Sequence, residues 1–274
     1  MLRKTLAVCI LLVLAFASAV GADTSPAPKL SAAEIVNKSV AASGGLQAWR
    51  SVQSIVMKGK MDAGGNNRPT LPMPGKRAGQ QMPSPRPAEQ VRLPFVMEMK
   101  RPRKMRVELQ FNGQTAVQVF DGSNGWKLRP FLNRHEVEPF TPEEMKATAL
   151  QADLDGPLVD YAAKGTKVDV EGIEKVLDGN AYRLKLTLKN GQTQHVWVDT
   201  KSFLEVKIEG TPRRLDGKYH PVATYLRDYQ PVNGLMVPHT LETAVEGVKQ
   251  TEKIEIESVS VNTKLDDSLF AKLQ

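Results

Sequence analysis

The chain has 274 residues, 41% of them hydrophobic and 24% charged, with a formal charge of +7 and a single cysteine, Cys9. That length supplies a sizeable core without staples, and one cysteine excludes a disulfide framework. The positive charge comes with no nucleic-acid-binding motif, so composition gives no support to that class.

Met1-Leu2-Arg3-Lys4 leads into an apolar run from Leu6 to Val20, followed by Gly21-Ala22. The run is about 15 residues, short of the roughly 20 that span a bilayer as a helix. A basic start, a short apolar stretch and small residues at its end read as a signal peptide over residues 1–22, removed after Ala22. Cys9 lies inside the run rather than after it, so no lipid anchor is expected. Loss of Arg3 and Lys4 lowers the charge by two, to +5.

Ser31-Ala32-Ala33-Glu34 has the spacing of a capping box, with Leu30 placed as its staple. The helix it opens puts Ile35, Val36 and Val40 on one face and stops at Gly44-Gly45. A short turn of helix follows over Leu46 to Val52, then a strand from Ser54 to Met61. From Gly64 to Gln90 the composition changes to Gly, Pro, Asn, Gln and Arg, with six prolines. Such a stretch buries too little to offset the entropy of ordering and reads as a flexible loop. It is either a tolerated insertion or an arm with a role, Met73 and Met82 being its apolar contacts.

Beyond the loop the period is two. Phe95, Met97 and Met99 share a face, as do Met105, Val107, Leu109 and Phe111. Arg101-Pro102, Asn112-Gly113, Asp121-Gly122 and Asn124-Gly125 mark turns, and Asn112-Gly113 carries the positive φ angles of a type I′ hairpin. Thr141-Pro142-Glu143-Glu144 caps a second helix in which Met145 and Ala149 share a face. Pro157 interrupts it, and Leu158, Val159 and Tyr161 suit a separate short helix ending at Gly165. Strands resume with Val168 and Val170, then Tyr182, Leu184, Leu186 and Leu188, Val196 and Val198, Leu204 to Ile208, and Val222 to Tyr229. A last hairpin follows Asn233-Gly234. About eleven strands joined by short turns predict an antiparallel, mainly β fold in one domain over residues 23–274.

Catalytic patterns are not found. His135, His195, His220 and His239 have no metal-ligand spacing. Asp153-x-Asp155-Gly156 starts like a calcium loop, but Pro157 stands where a third ligand belongs. Asp121 stands two residues before Ser123, where a nucleophile elbow needs glycine. The reading is a non-enzyme without metal or cofactor. Trp49, Trp126 and Trp197 are either packing residues or a ligand wall. Arg68, Lys76, Arg77, Arg86, Arg92, Lys100, Arg101, Arg103, Lys104 and Arg106 crowd one third of the chain, as a solvated basic surface or as an attraction to acidic lipid headgroups.

Taken in order, several segments resemble the LolA-like family of periplasmic lipoprotein carriers and outer-membrane lipoprotein-sorting proteins. They are Ala41-Ala42-Ser43-Gly44-Gly45-Leu46, Val119-Phe120-Asp121-Gly122-x-x-Gly125-Trp126, Asp228-Tyr229-Gln230-Pro231-Val232-Asn233-Gly234, Val237-Pro238-His239 and Asn262-x-x-Leu265-Asp266-Asp267-Ser268-Leu269-Phe270. Each is a turn or strand start; their order and spacing carry the resemblance over nearly the whole mature chain. The loop from 64 to 90 has no counterpart, and no position here matches the family's interior arginine.

The resemblance implies an α+β, mainly β fold: an incomplete, unclosed antiparallel barrel curled around a helical lid, with an apolar concavity for acyl chains. Ile35, Val36, Val40, Met145 and Ala149 would then belong to lid helices. Phe95, Met97, Met99, Met105, Val107, Leu109, Phe111, Leu184, Leu186, Leu188, Val196 and Val198 would line the concavity. It also implies a monomeric periplasmic carrier for the acyl chains of a lipoprotein or lipid, with an inner- or outer-membrane protein as partner. The competing reading is a non-transport envelope sensor or interaction module on the same half-barrel, with the Pro-rich basic loop as its contact; under either reading the apolar faces could instead pack on the helices and leave no cavity.

Overall fold

The computed structural model describes residues 30–64, 90–130, 134–215 and 217–274. The expected leader lies outside these residues, as does the expected loop apart from Gly64 and Gln90.

Two helices open the described chain, α1 (Ala32–Ala42) and α2 (Leu46–Ser51). The first starts where the capping box predicts: Ser31 Oγ accepts from the Glu34 amide, and the Ser31 amide donates to Glu34 Oε2 at 2.8 Å. Six strands follow as a meander: β1 (Ser54–Gly64), β2 (Gln90–Lys100), β3 (Lys104–Phe111), β4 (Gln114–Phe120), β5 (Gly125–Arg129) and β6 (Arg134–Pro139). After helix α3 (Pro142–Gln151) a second meander runs through β7 (Lys167–Val176), β8 (Gly179–Thr187), β9 (Thr193–Asp199), β10 (Glu205–Leu215), β11 (Lys218–Val232), β12 (Leu235–Val245) and β13 (Glu252–Val261). A 3-10 turn, Asp267–Phe270, lies near the C-terminus.

All thirteen strands form one antiparallel sheet in the order β6-β5-β4-β3-β2-β1-β13-β12-β11-β10-β9-β8-β7. The β1–β13 pairing, with Ile55 opposite Val261 and Met57 opposite Val259, joins the two meanders. Both ends of the order, β6 and β7, are free edges, so the barrel is open as expected. The strand count exceeds the expected eleven chiefly through short elements such as β6, whose Arg-His-Glu-Val-Glu-Pro sequence has no apolar alternation to announce it.

Hairpin chemistry works as read: Asn112 and Gly113 have φ of 49° and 73°, and Asn233 and Gly234 have 48° and 82°. The short helix expected around Leu158 is instead a run of turns over residues 154–165. Pro157 withholds a donor there, and Gly156 and Asp160 have φ of 69° and 53°, so the backbone leaves the right-handed helical region twice.

The connection from β6 to β7 must pass from one edge of the sheet to the other, and it does so across one face, here called the inner face. Alternation sends the remaining side chains outward. Val117, Val119 and Trp126 on the outer face are covered by Leu265, Leu269, Phe270 and Leu273 of the C-terminal segment. Lys100 and Lys104 hold that segment through Asp267, and Arg106 donates to the Leu269 carbonyl. Arg92 pairs with Asp62 and Glu255. Arg92, Lys100, Lys104 and Arg106 of the basic run are thus engaged within the fold rather than simply solvated, while Arg68, Lys76, Arg77 and Arg86 lie outside the described residues.

Candidate ligand-binding face

Cross-strand pairing assembles the inner face row by row. Ile55 lies opposite Met99, Met99 opposite Met105, and Met105 opposite Phe120. The next row runs Met57, Met97, Val107, Gln118, Lys127. In a third, Gly59 faces Phe95, and Phe95 faces Leu109. The predicted Phe95, Met97, Met99, Met105, Val107 and Leu109 thus share one wall. Phe111 stands at its far end, beside a cleft of about 420 Å³ at the β3–β4 turn that Pro94 and Gln114 also line.

In the second meander Leu184 is opposite Val196 and Tyr182 opposite Val198, with Val168 opposite Leu186. Leu184, Leu186, Val196 and Val198 form a single cluster, all fully buried under Ile35, Val36 and Leu158. Leu188 falls just past the end of β8 and is half-buried outside that cluster. Its amide closes the turn onto the Gln192 carbonyl.

The two halves differ in how tightly they are covered. Over the second, α1 buries Ile35, Val36 and Ser39, with Val40 packed alongside. Burial of two branched side chains there is worth about 3–6 kcal/mol. Over the first, α3 buries Thr148 alone and rests on the wall through the half-buried Met145 and Ala149. Four methionines of this wall, Met57, Met97, Met99 and Met105, meet a fifth on the helix, Met145. Thioether side chains of this kind reshape around varied apolar partners. Trp49 packs against the same cluster, its indole N–H bonded to Ser43, so it joins the wall and is also anchored.

Polar contacts join the buried Leu154, Leu158 and Val159 in fixing the connection in place. Arg101 donates from Nε to the Val52 carbonyl at 2.5 Å, from Nη2 to the Trp49 carbonyl at 2.9 Å, and from both terminal nitrogens to Asp155. The Asp155 bonds hold the Arg101 guanidinium above its ordinary pKa against the opposing effect of burial. Lys164 binds Asp153 at 2.7 Å, and Arg50 binds Asp160. The two acids that looked like the start of a calcium loop, Asp153 and Asp155, are thus ion-pair partners.

Lys127 is a site residue that sequence reading misses. It is 5% exposed, and its ammonium bonds both oxygens of Glu144 at 2.6 and 2.5 Å. Burial pushes the Glu144 carboxyl up, but the bonds from Lys127 and the Thr141 amide outweigh it and leave it below the usual range. A further carboxyl, Glu205, lies opposite Val198. It has no hydrogen-bond partner among the described residues, and burial raises it to about 7, with Lys164 acting weakly against the shift.

Three of the four histidines have structural partners: His195 bridges Glu171 and Glu209, His220 bonds the Glu246 carbonyl and His239 the Val237 carbonyl, while His135 is exposed on β6. Ser123 sits in a turn closed by Asp121. Trp197 is on the outer face, its N–H on Glu174 and Lys207 Nζ 4.0 Å from the ring centroid.

No protein-family model matches the chain, and no curated protein matches it in sequence. Among solved structures it is similar to a LolA superfamily protein from Nitrosomonas europaea, with a TM-score of 0.55 and 12% identity, covering 89% of this chain and 98% of that one. It is also similar to a putative outer membrane lipoprotein-sorting protein domain from Vibrio parahaemolyticus, with TM-score 0.54, 14% identity and coverage of 87% and 95%. A DUF1329 family protein from Desulfovibrio piger gives TM-score 0.53, 13% identity and coverage of 88% and 97%. The fold is therefore LolA-like: a large open antiparallel half-barrel with helices on its inner face.

Proposed function

We propose that this LolA-like half-barrel is a non-catalytic periplasmic carrier, exported with loss of its leader near Ala22, that shelters the acyl chains of a lipoprotein or lipid against its inner face. The observation that carries the reading is the contrast between the two halves of that face. Its β1–β4 wall is apolar and rich in methionine, yet the helix above it buries one residue, Thr148. An element with so little buried apolar area gives up little packing when it lifts, and an acyl chain entering beneath it gains about 0.8 kcal/mol for each CH2 buried. Phe95, Met97, Met99, Met105, Val107, Leu109 and Phe111 form the receiving surface, α3 is the moving lid, and the tightly packed half under α1 is the frame.

The cleft between α1 and the turn run, lined by Val36, Val40, Leu158 and Tyr161, measures about 280 Å³. Neither this cleft nor the one of about 420 Å³ beside Phe111 is lined by α3, so uptake against the Met97–Val107 row beneath that helix requires the lid to move. Displacement of a fluorescent acyl probe from delipidated protein tests the reading. Met97→Asp and Val107→Asp alter half-buried positions and should suppress uptake while leaving the far-ultraviolet spectrum intact. Undiminished uptake in both contradicts this wall as the receiving surface, and none in the unaltered protein contradicts a carrier and favours an interaction module.

A further inference from the structure

Lys127 occupies a position that packing alone does not explain. It continues the row Met57, Met97, Val107, Gln118 on the inner face, it is 5% exposed, and Glu144, the carboxylate on its ammonium, belongs to the lid. Glu144 is the third residue of α3 and also accepts the Thr141 amide at 2.7 Å, so it moves with the helix. Gln118, the row neighbour of Lys127, is exposed, so solvent reaches the row beside the buried lysine.

Two positions along the same strand, Arg129 gives Nη2 at 2.7 Å to Glu138, the residue opposite Lys127, and among the described residues its buried Nε has no hydrogen-bond partner. Arg134 shares the same carboxylate. With the lid closed, Lys127, Arg129 and Arg134 face Glu144 and Glu138. With α3 lifted, Glu144 leaves and three cations remain around Glu138 alone, an excess of positive charge at the end of the apolar wall that an anion in the vacated place would neutralise.

We propose that the acyl ligand is an anionic amphiphile whose carboxylate or phosphate head replaces Glu144 on Lys127, with Arg129 Nε as a second donor. This rests on the carrier reading and specifies its ligand class. The exchange links lid opening to loading: the head takes the place that Glu144 vacates, and the chain lies along Val107, Met97 and Met57. A neutral amphiphile of equal length gains the same apolar burial but gives Lys127 no charge in place of Glu144.

Binding of palmitate, hexadecyl phosphate and hexadecanol to the delipidated full chain, below their aggregation thresholds, tests the proposal. A charge-assisted bond predicts that at least one anion binds on the order of tenfold or more tighter than the alcohol. A preference for palmitate alone assigns a carboxylate head, and one for hexadecyl phosphate alone a phosphate. Lys127→Met should abolish the preference while keeping hexadecanol binding, and Lys127→Arg should retain it. Glu144→Gln, which weakens the internal competitor and leaves the lysine in place, should tighten anion binding and decides the matter if Lys127→Met fails to fold. Equal affinities for all three ligands in the unaltered protein overturn the anionic head and leave the carrier standing; no binding of any overturns both.

Discussion

Gly44 sits against the carbonyl of Gly234: a Cβ built at Gly44 would lie 2.5 Å from that oxygen, and the residue holds φ at 121°. The contact seats the end of α1 on the β11–β12 turn, where the Met236 amide also donates to the Ser43 carbonyl at 3.0 Å. Two segments that carry the family resemblance in the sequence are therefore in direct contact, each requiring glycine for a different reason: close approach at one, a turn at the other.

Gly44→Ala should destabilise the protein by about 2–4 kcal/mol, since it adds both a clash with backbone and a strained φ. Gly45→Ala, with open space around its Cβ, meets only the backbone strain of φ 90° and should cost less. Urea unfolding of the two variants measures the difference.

Arg101→Ala should loosen the turn run without unfolding the sheet. It removes both bonds to Asp155 and those to the Val52 and Trp49 carbonyls, a loss of about 1–3 kcal/mol for a partly exposed group. Hydrogen exchange should quicken over residues 152–166 while β8 and β9 stay protected. Arg101→Lys should behave like the alanine variant, because an ammonium does not reproduce the forked contact with Asp155.

Glu205 makes stability depend on pH in a defined direction. Its carboxyl is raised from 4.5 to about 7 by burial. Between those values the folded chain holds a proton that the unfolded chain has released, so stability falls as pH rises through the window and levels off above it. Glu205→Gln should therefore stabilise the protein at about pH 8, by less than about 3 kcal/mol because the residue keeps some exposure, and change little at about pH 4. Thermal unfolding at the two pH values checks the sign.

Leu186→Asp should abolish folding or cost more than about 4 kcal/mol, for Leu186 is fully buried beneath α1 and a carboxylate there finds no partner. Leu186→Met, which keeps the volume, should cost less than about 1.5 kcal/mol. Circular dichroism and urea titration separate the two outcomes.

What the sequence made legible is local chemistry: the Ser31–Glu34 and Thr141–Glu144 boxes, the Asn-Gly turns, and the alternation that puts Met97 with Val107 and Leu184 with Val196. What it hid depends on distant partners. Lys127 lies between Trp126 and Leu128, so alternation suggests that lysine faces water and tryptophan the core; the open sheet has covered surface on both sides, and Glu144, 17 residues later, makes the lysine's burial tolerable. The C-terminal Leu265, Leu269 and Phe270 resembled a family motif, yet nothing in their spacing says that they cover the outer face over Val119 and Trp126. The polar β6 strand exists because β5 offers it an edge, with Trp126 opposite Pro139 and Lys127 opposite Glu138.

Native mass spectrometry with lipid extraction, on protein purified without detergent from its native source, tests the carrier reading most directly. The account predicts a co-purifying acylated amphiphile with an anionic head at near-stoichiometric amount. A clean apo mass, together with failure of the delipidated protein to take up any acyl probe, would contradict it.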